Sequence, residues 1–348
     1  METTLKYPSA TALKKAWEEL KLNQPKTRIR DAARILQVSE LDLLLTTENP
    51  APIRLKADWS NILLSCRELG KVMALTRNEA CVLEHKGNFQ KITIHGSPPH
   101  QIATVIGPIE QRVFFGKWKY GFAVATDTPR GIMRSLQFFD QSGEAVMKIY
   151  LQEKSNQDAY DNIIYAYRSE EPFLGIQVQP FEKEIHATSV DQEAFARDWE
   201  NMKDTHDFFG MLRKYNMHRL DAIKWIGKKW AYQVDRLSVR KILELASADK
   251  LPIMIFVGNK GNIQIHQGKV RTIRQMGNWL NVLDPDFNMH LDESCIDSAW
   301  VVHKHTDDGL VSSLELFDAD GEMIAQFFGL RKPGLPQKEQ WKHLIDQL

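Results

Sequence analysis

The sequence predicts an α+β protein made of a tandem structural repeat, each half opening with N-terminal helices and closing with a large antiparallel β-sheet. Two self-matches and one ordering of patterns carry that prediction. Residues 135–144, SLQFFDQSGE, recur as SLELFDADGE at 313–322, an offset of 178 with six of ten positions identical. Residues 78–87, NEACVLEHKG, match NKGNIQIHQG at 259–268, an offset of 181. In both halves helical periodicity comes first and short strand-like runs follow, without the strand–helix alternation of a parallel sheet. Two copies of one ancestor share structural residues, so a residue carried by one copy alone is a candidate for function.

The first half opens on Ser9–Leu20, where a Ser/Thr cap precedes Leu13, Trp17 and Leu20 at helical spacing. Its counterpart is Asp191–Met202, with Phe195, Trp199 and Met202. Further helices are expected at Arg28–Leu36 and Asp207–Tyr215, then at Asp58–Leu69 and Ser238–Ala246. Short apolar runs follow at Val72–Leu75, Ala80–His85 and Phe89–His95, and again at Ile253–Val257, Asn262–His266 and Lys269–Ile273. Turn residues between them read as antiparallel hairpins, with further hairpin turns at Asp140–Gly143 and Asp318–Gly321. The irregular stretches Glu170-Glu171-Pro172 and Gln179-Pro180 mark the boundary. The expected organisation is an N-terminal repeat over 1–175, a linker over 176–190 and a C-terminal repeat over 191–348.

Composition narrows the function classes. Lys and Arg total 45 against 45 for Asp and Glu, which argues against a polyanion as the main partner, though a local basic cleft is compatible with neutrality. Three cysteines, odd in number and far apart, fit a reducing compartment and exclude a disulfide framework or a cysteine-rich zinc site. No run approaches the roughly 18 apolar residues that span a bilayer, and the N-terminus lacks the apolar core of a signal peptide. A soluble cytoplasmic protein is expected.

The sharpest asymmetry between the copies is His206, opposite Gln24 in the first half. It stands in Lys203-Asp204-Thr205-His206-Asp207-Phe208-Phe209, where Asp204 or Thr205 can cap the helix and leave the histidine in its first turn. The helix dipole and the apolar neighbours Phe208, Phe209 and Leu212 favour a neutral imidazole. Such a ring is either a ligand for a metal or haem iron, or a capping and packing residue. The second asymmetry is Arg112, opposite His290, on a strand with Val113, Phe114 and Phe115. Pointing inward it needs an anionic partner; pointing outward it faces water. His303 and His305 share a strand face, as a metal pair or as a solvated edge. Arg28–Glu40 has the pattern of the first two helices of a helix-turn-helix, a unit that also packs helices in proteins that never touch DNA. There is no P-loop, G-x-S-x-G, H-E-x-x-H or Rossmann glycine set.

The duplication, the DTHDFF segment at 204–209, IMIFVGNKGNIQIHQGKV at 253–270, TRN at Thr76–Asn78 and AYQVD at Ala231–Asp235 resemble the HemS/HmuS/ChuS-type haemin-utilisation proteins of Gram-negative bacteria. The resemblance covers essentially the whole chain. It implies two stacked sheets and haem held by the C-terminal half, with His206 as axial ligand and Arg112 as a distal arginine that can hydrogen-bond bound water or dioxygen. It also implies propionate contacts from Lys304, Arg213, Lys214 and Arg331. The function implied is oxidative haem degradation that releases iron, with Arg112 and His206 as catalytic residues and an external reductant, because no flavin or nicotinamide motif is present. The alternative is a carrier that delivers haem to a separate haem oxygenase, and a haem-responsive DNA-binding regulator is a third reading. Candidate partners are an inner-membrane haem transporter, an electron donor and that oxygenase, for a monomer or dimer. Two departures stand out. Where some relatives carry a second haem-linked histidine after TRN this chain has Leu83, with His85 two residues on, and Phe328 replaces a tyrosine.

Overall fold

A computed structural model describes residues 7, 9–129, 131–171, 176–182, 184–187, 189–331 and 334–348. Pro172 of the expected boundary lies outside the described residues. The helices are α1 (Ala10–Asn23), α2 (Ile29–Leu36), α3 (Glu40–Leu45), α4 (Trp59–Ser65) and α5 (Gln157–Tyr167). In the second half they are α6 (Gln192–Glu200), α7 (Asp207–Tyr215), α8 (Arg219–Trp225), α9 (Ser238–Ala248) and α10 (Glu339–Ile345).

The strands of the first half are β1 (Ile53–Arg54), β2 (Gly70–Arg77), β3 (Cys81–Gly87), β4 (Lys91–His95), β5 (Ile102–Ile106), β6 (Glu110–Phe114), β7 (Tyr120–Thr128), β8 (Gly131–Phe139) and β9 (Ala145–Ser155). Those of the second are β10 (Ala231–Val234), β11 (Ile253–Gly258), β12 (Asn262–Gly268), β13 (Ile273–Met276), β14 (Trp279–Leu283), β15 (Phe287–Asp292), β16 (Ser298–Lys304), β17 (Val311–Phe317) and β18 (Met323–Gly329). They make two antiparallel sheets of nine strands each, so the α+β class and the repeat hold.

Contacts divide the chain into two compact units. The first comprises residues 1–76, 86–182 and 259–262; the second comprises 77–85, 183–258 and 263–348. The first contains the strand orders β1-β7-β8-β9-β2 and β6-β5-β4, and the second β10-β16-β17-β18-β11-β12 and β3-β15-β14-β13. The first unit therefore takes the turn at 259–262 from the second half of the sequence, and the second unit takes the turn after β2 together with β3 from the first half. In the second unit the Asn78 carboxamide oxygen accepts from Ala80 N and Cys81 N, while its nitrogen donates to Gly258 O and Ile324 O. In the first, Asn259 accepts from Gly261 N and Asn262 N and donates to Val146 O. The two asparagines are the repeat-equivalent pair of the 181 offset, and both close the same turn. Asn259→Ala should cost about 1–3 kcal/mol through the groups left unpaired. Hydrogen exchange should then rise around β9, in the first unit, although residue 259 lies in the second half of the sequence. Unchanged protection of β9 would refute that assignment.

Local chemistry explains most elements. Ser9 caps α1 by accepting from Ala12 N, and Asp191 caps α6 by accepting from Ala194 N. Trp17 and Trp199 are both buried beneath these helices. The turns at Asp140 and Asp318 repeat in detail: each carboxylate accepts two backbone N–H bonds across the turn. Gly143 and Gly321 supply the left-handed residue at φ +80° and +81°.

Three differences from the sequence reading have physical causes. Three helices were not anticipated: α8 and α10 run seven residues each, too short for periodicity to register, and α5 follows a strand directly behind its Asn156 cap. Residues 269–272, expected in a strand, are irregular because the Asp284 carboxylate accepts from Arg271 N and Thr272 N and takes them out of any ladder. The helix-turn-helix pattern forms α2 and α3, but α3 buries Glu40, Leu41, Leu43 and Leu44, and Glu40 is ion-paired to Lys148. A second helix without a free face cannot lie in a groove of DNA.

Candidate functional site

α7 carries the residue that distinguished the two copies. Its buried face, Phe208 and Met211 with Leu212 and Tyr215 partly buried beside them, packs with Phe195, Trp199 and Met217 in the core of the second unit. Burial of each large side chain stabilises the helix's attachment by roughly 1.5–3 kcal/mol. That leaves the opposite face to solvent. His206, Gly210 and Arg213 lie on it at i, i+4 and i+7, with Phe209 alongside, 49% exposed.

The expected cap is arranged differently. Neither Asp204 nor Thr205 caps α7; His206 itself occupies the N-cap position. The Asp207 carboxylate reaches back and accepts from Lys203 N at 2.9 Å and Asp204 N at 3.0 Å. Asp204 turns the other way. Its Oδ1 accepts from His206 N at 2.8 Å and meets the ring Nδ1 at 2.5 Å. The His206 side chain is 84% exposed, in place of the apolar surroundings expected from the sequence. Its Nε2 has no hydrogen-bond partner among the described residues. The Asp204 carboxyl is held below its ordinary value: partial burial pushes it up, and the His206 backbone N–H, the His206 ring and the Arg331 charge outweigh that.

The expected cations separate into three kinds. Arg331 acts on Asp204, lies 3.6 Å from Asp308, and has a buried Nη1 without a hydrogen-bond partner among the described residues. Arg213 is exposed on the His206 face. Lys214 is tied to Asp198 at 2.5 Å, on an oxygen that also accepts from Tyr215 OH. Lys304 is buried. Its ammonium lies 2.9 Å from Glu315 and 4.8 Å from the Phe208 ring centroid. Burial pushes Lys304 down to about 8 despite the attraction of Glu315. Arg219, which sequence reasoning missed, makes a two-pronged bond to the same carboxylate at 2.8 and 2.9 Å and lies 4.9 Å from Phe208. Burial alone would raise the Glu315 carboxyl; Arg219 and Lys304 together hold it far below its usual range. Two cations on one carboxylate leave a positive excess beneath α7, and Lys304 reaches a new anion only by leaving Glu315.

Other candidates fall elsewhere. His303 Nδ1 meets Ser312 Oγ at 2.8 Å, whereas His305 packs edge-on against Trp230 at 4.7 Å, so they do not converge. Leu83 is buried, and His85, 5% exposed, is equally closed to a bulky ligand. Phe328 packs against Phe256 at 5.3 Å. Gln24, opposite His206, ends α1 in solvent with Thr27 Oγ1 donating to its side chain.

In the first unit, Arg112 has the anionic partner its strand demanded. Glu110, two residues back on the same face of β6, lies 3.1 Å away, and Val105 O and Gln111 O accept further bonds. Strand register puts Ile102, Thr104, Ile106 and Phe114 on that face too, with Ile102 38% and Ile106 45% exposed. It is a largely apolar surface around one guanidinium.

Fold and site define a tandem-repeat α+β protein whose second unit presents an open histidine, tied by a carboxylate at Nδ1 and flanked by an exposed aromatic ring and arginines. A family model described as the haemin-degrading HemS.ChuX domain matches residues 37–167 and again 216–348. The chain is 33% identical to the hemin transport protein HemS of Yersinia enterocolitica, covering 95% of both chains. The crystal structure of holo-PhuS, a heme-binding protein from Pseudomonas aeruginosa, superposes with a TM-score of 0.91 at 39% identity, covering 98% of this chain and 99% of that one. ChuS, described as a heme-degrading enzyme of Escherichia coli O157:H7, gives 0.91 at 31% identity over 98% and 99%. The chain belongs to the HemS family of haemin-utilisation proteins. Arg112, Lys304 and Arg331 fall inside the matched segments and His206 falls between them. No described helix is long and apolar enough to cross a membrane.

Proposed function

We propose that this protein binds haem through His206 Nε2 in the cytoplasm of a bacterium that imports haem, and degrades it with electrons from an external reductant to release iron. The observation that carries the binding reading is the state of His206: Nδ1 occupied, Nε2 open, ring in solvent. A buried metal ion would need a closed set of ligands; an iron porphyrin needs one accessible nitrogen and room for a macrocycle. Phe209 offers an apolar face for the ring. At Gly210 an added Cβ meets nothing within 4 Å, so a flat ligand can approach the helix there. Arg213, exposed on the His206 face, suits a propionate carboxylate, and the Arg331 charge that reaches Asp204 adds to the positive field there. Arg112 and its apolar neighbours are proposed as a haem-contacting surface in their own right.

Bound haem supplies the redox centre; the protein orients the ligand, neutralises its carboxylates and limits which iron face is open. Degradation is preferred to carriage because the family model and the ChuS relative are both described by haem degradation. Product analysis under a physiological reductant with catalase present tests it. A defined tetrapyrrole product with stoichiometric iron release supports the enzyme, and loss of turnover once peroxide is removed establishes the carrier. Gly210→Ala separates fold from site. It should stabilise α7 by about 0.5–1 kcal/mol through helix propensity while weakening haem binding. A thermal melt and a haem titration read the two effects, and unchanged affinity would remove Gly210 from the site.

A further inference from the structure

We infer that Asp204 is a positioning residue for His206: it holds the imidazole in the Nδ1–H tautomer and in one orientation, so that the Nε2 lone pair is the sole donor presented to a ligand. The inference rests on the haem reading only for its consequence at iron; the clamp itself is a property of the chain.

Three observations carry it. First, a single oxygen, Asp204 Oδ1, meets both the backbone N–H of His206 at 2.8 Å and the ring Nδ1 at 2.5 Å. A ring bonded through the same atom as its own backbone cannot rotate about χ1 without losing that bond. Second, among the described residues no other group bonds the ring. An 84% exposed histidine without a partner would sample several rotamers and both tautomers. Third, the entry to the turn does not depend on the Asp204 side chain, because the Asp207 carboxylate accepts from Lys203 N and Asp204 N. The two aspartates of D-T-H-D thus divide the work, Asp207 on the backbone of residues 203 and 204 and Asp204 on the backbone and ring of His206. Carboxylates placed this way fix the tautomer of metal-ligating histidines and raise their basicity.

The test begins on the apo-protein. Imidazole nitrogen shifts of His206 in the wild type should report a single Nδ1–H tautomer, and in Asp204→Ala a tautomer mixture. Asp204→Asn, whose carbonyl oxygen can still accept from Nδ1–H, should restore the single tautomer. With haem, Asp204→Ala should bind about 10–100-fold more weakly. Its iron–histidine stretch should fall and its reduction potential rise, and Asp204→Asn should recover affinity while the potential stays raised. Equal unfolding midpoints for the three proteins exclude a folding cause, and Asp204→Asn serves alone if the alanine variant is unstable. A single tautomer in Asp204→Ala, or an unmoved stretch and potential, overturns the proposal. If His206→Ala keeps the wild-type haem spectrum, the haem assignment fails; the apo measurement still decides the clamp.

Discussion

Replacing His206 with alanine is expected to abolish the histidine-ligated Soret band and weaken haem binding beyond the 10–100-fold that loss of a supporting group costs. The expectation follows from what α7 leaves exposed. Its apolar half is committed to the core of the second unit, and Lys214 is committed to Asp198. The exposed half then carries His206 as its only imidazole. His303→Ala is the control. Its Nδ1 is engaged by Ser312 and its ring by Tyr232, so the spectrum should not move. Spectroscopic titration of both variants decides it, and a normal spectrum in His206→Ala refutes the ligand assignment.

Acidification should destabilise the fold steeply between pH 6.5 and about 4. His85 and His266, the repeat-equivalent histidines at the 181 offset, stack at 5.6 Å in the second unit, and both rings lie against Phe287. Burial pushes His85 down to about 3, with the neighbouring His266 adding to it, and burial pushes His266 down to about 4 against the raising effect of Asp284. Gln264 donates to Leu83 O and lies 2.8 Å from His85 Nδ1, which suits the neutral ring as acceptor. Both folded values lie below the unfolded value of about 6.5. Their contribution is therefore intact above pH 6.5 and lost as pH falls toward 3–4, because the unfolded chain takes up protons that the folded chain refuses. Each ring costs about 1.4 kcal/mol per pH unit in that window, so the pair loses roughly 4 kcal/mol by pH 5. Denaturant unfolding as a function of pH measures it. His85→Gln with His266→Gln should flatten the slope, and a double variant with the wild-type slope would sink the explanation.

Legibility from sequence depended on the range of the interactions. Caps and turns involve residues a few positions apart, so Ser9, Asp191, Asp140 and Asp318 announce their structures directly. Subtraction of one copy from the other singled out His206 and Arg112 without coordinates. It did not find Arg219, because an arginine opening a seven-residue helix resembles any surface cation until Glu315 is seen beneath it, 96 residues away in the chain. Nor did it separate Lys304 from Arg331. Both are basic residues near the end of a strand, yet one is sealed under Phe208 and paired to Glu315, and the other lies at Asp308 with its charge reaching Asp204.

The duplication, the α+β class, the Ser9 cap, the Asp140 and Asp318 turns and the histidine that one copy lacks are readable in the chain alone, because they depend on short-range patterns or on comparing the chain with itself. Tertiary structure alone decided which cations are spent on internal carboxylates and that His85 is closed while His206 is open. It also decided that each compact unit borrows its asparagine turn from the other half. Burial and charge pairing are properties of groups far apart in the chain, and no local pattern encodes which of them meet.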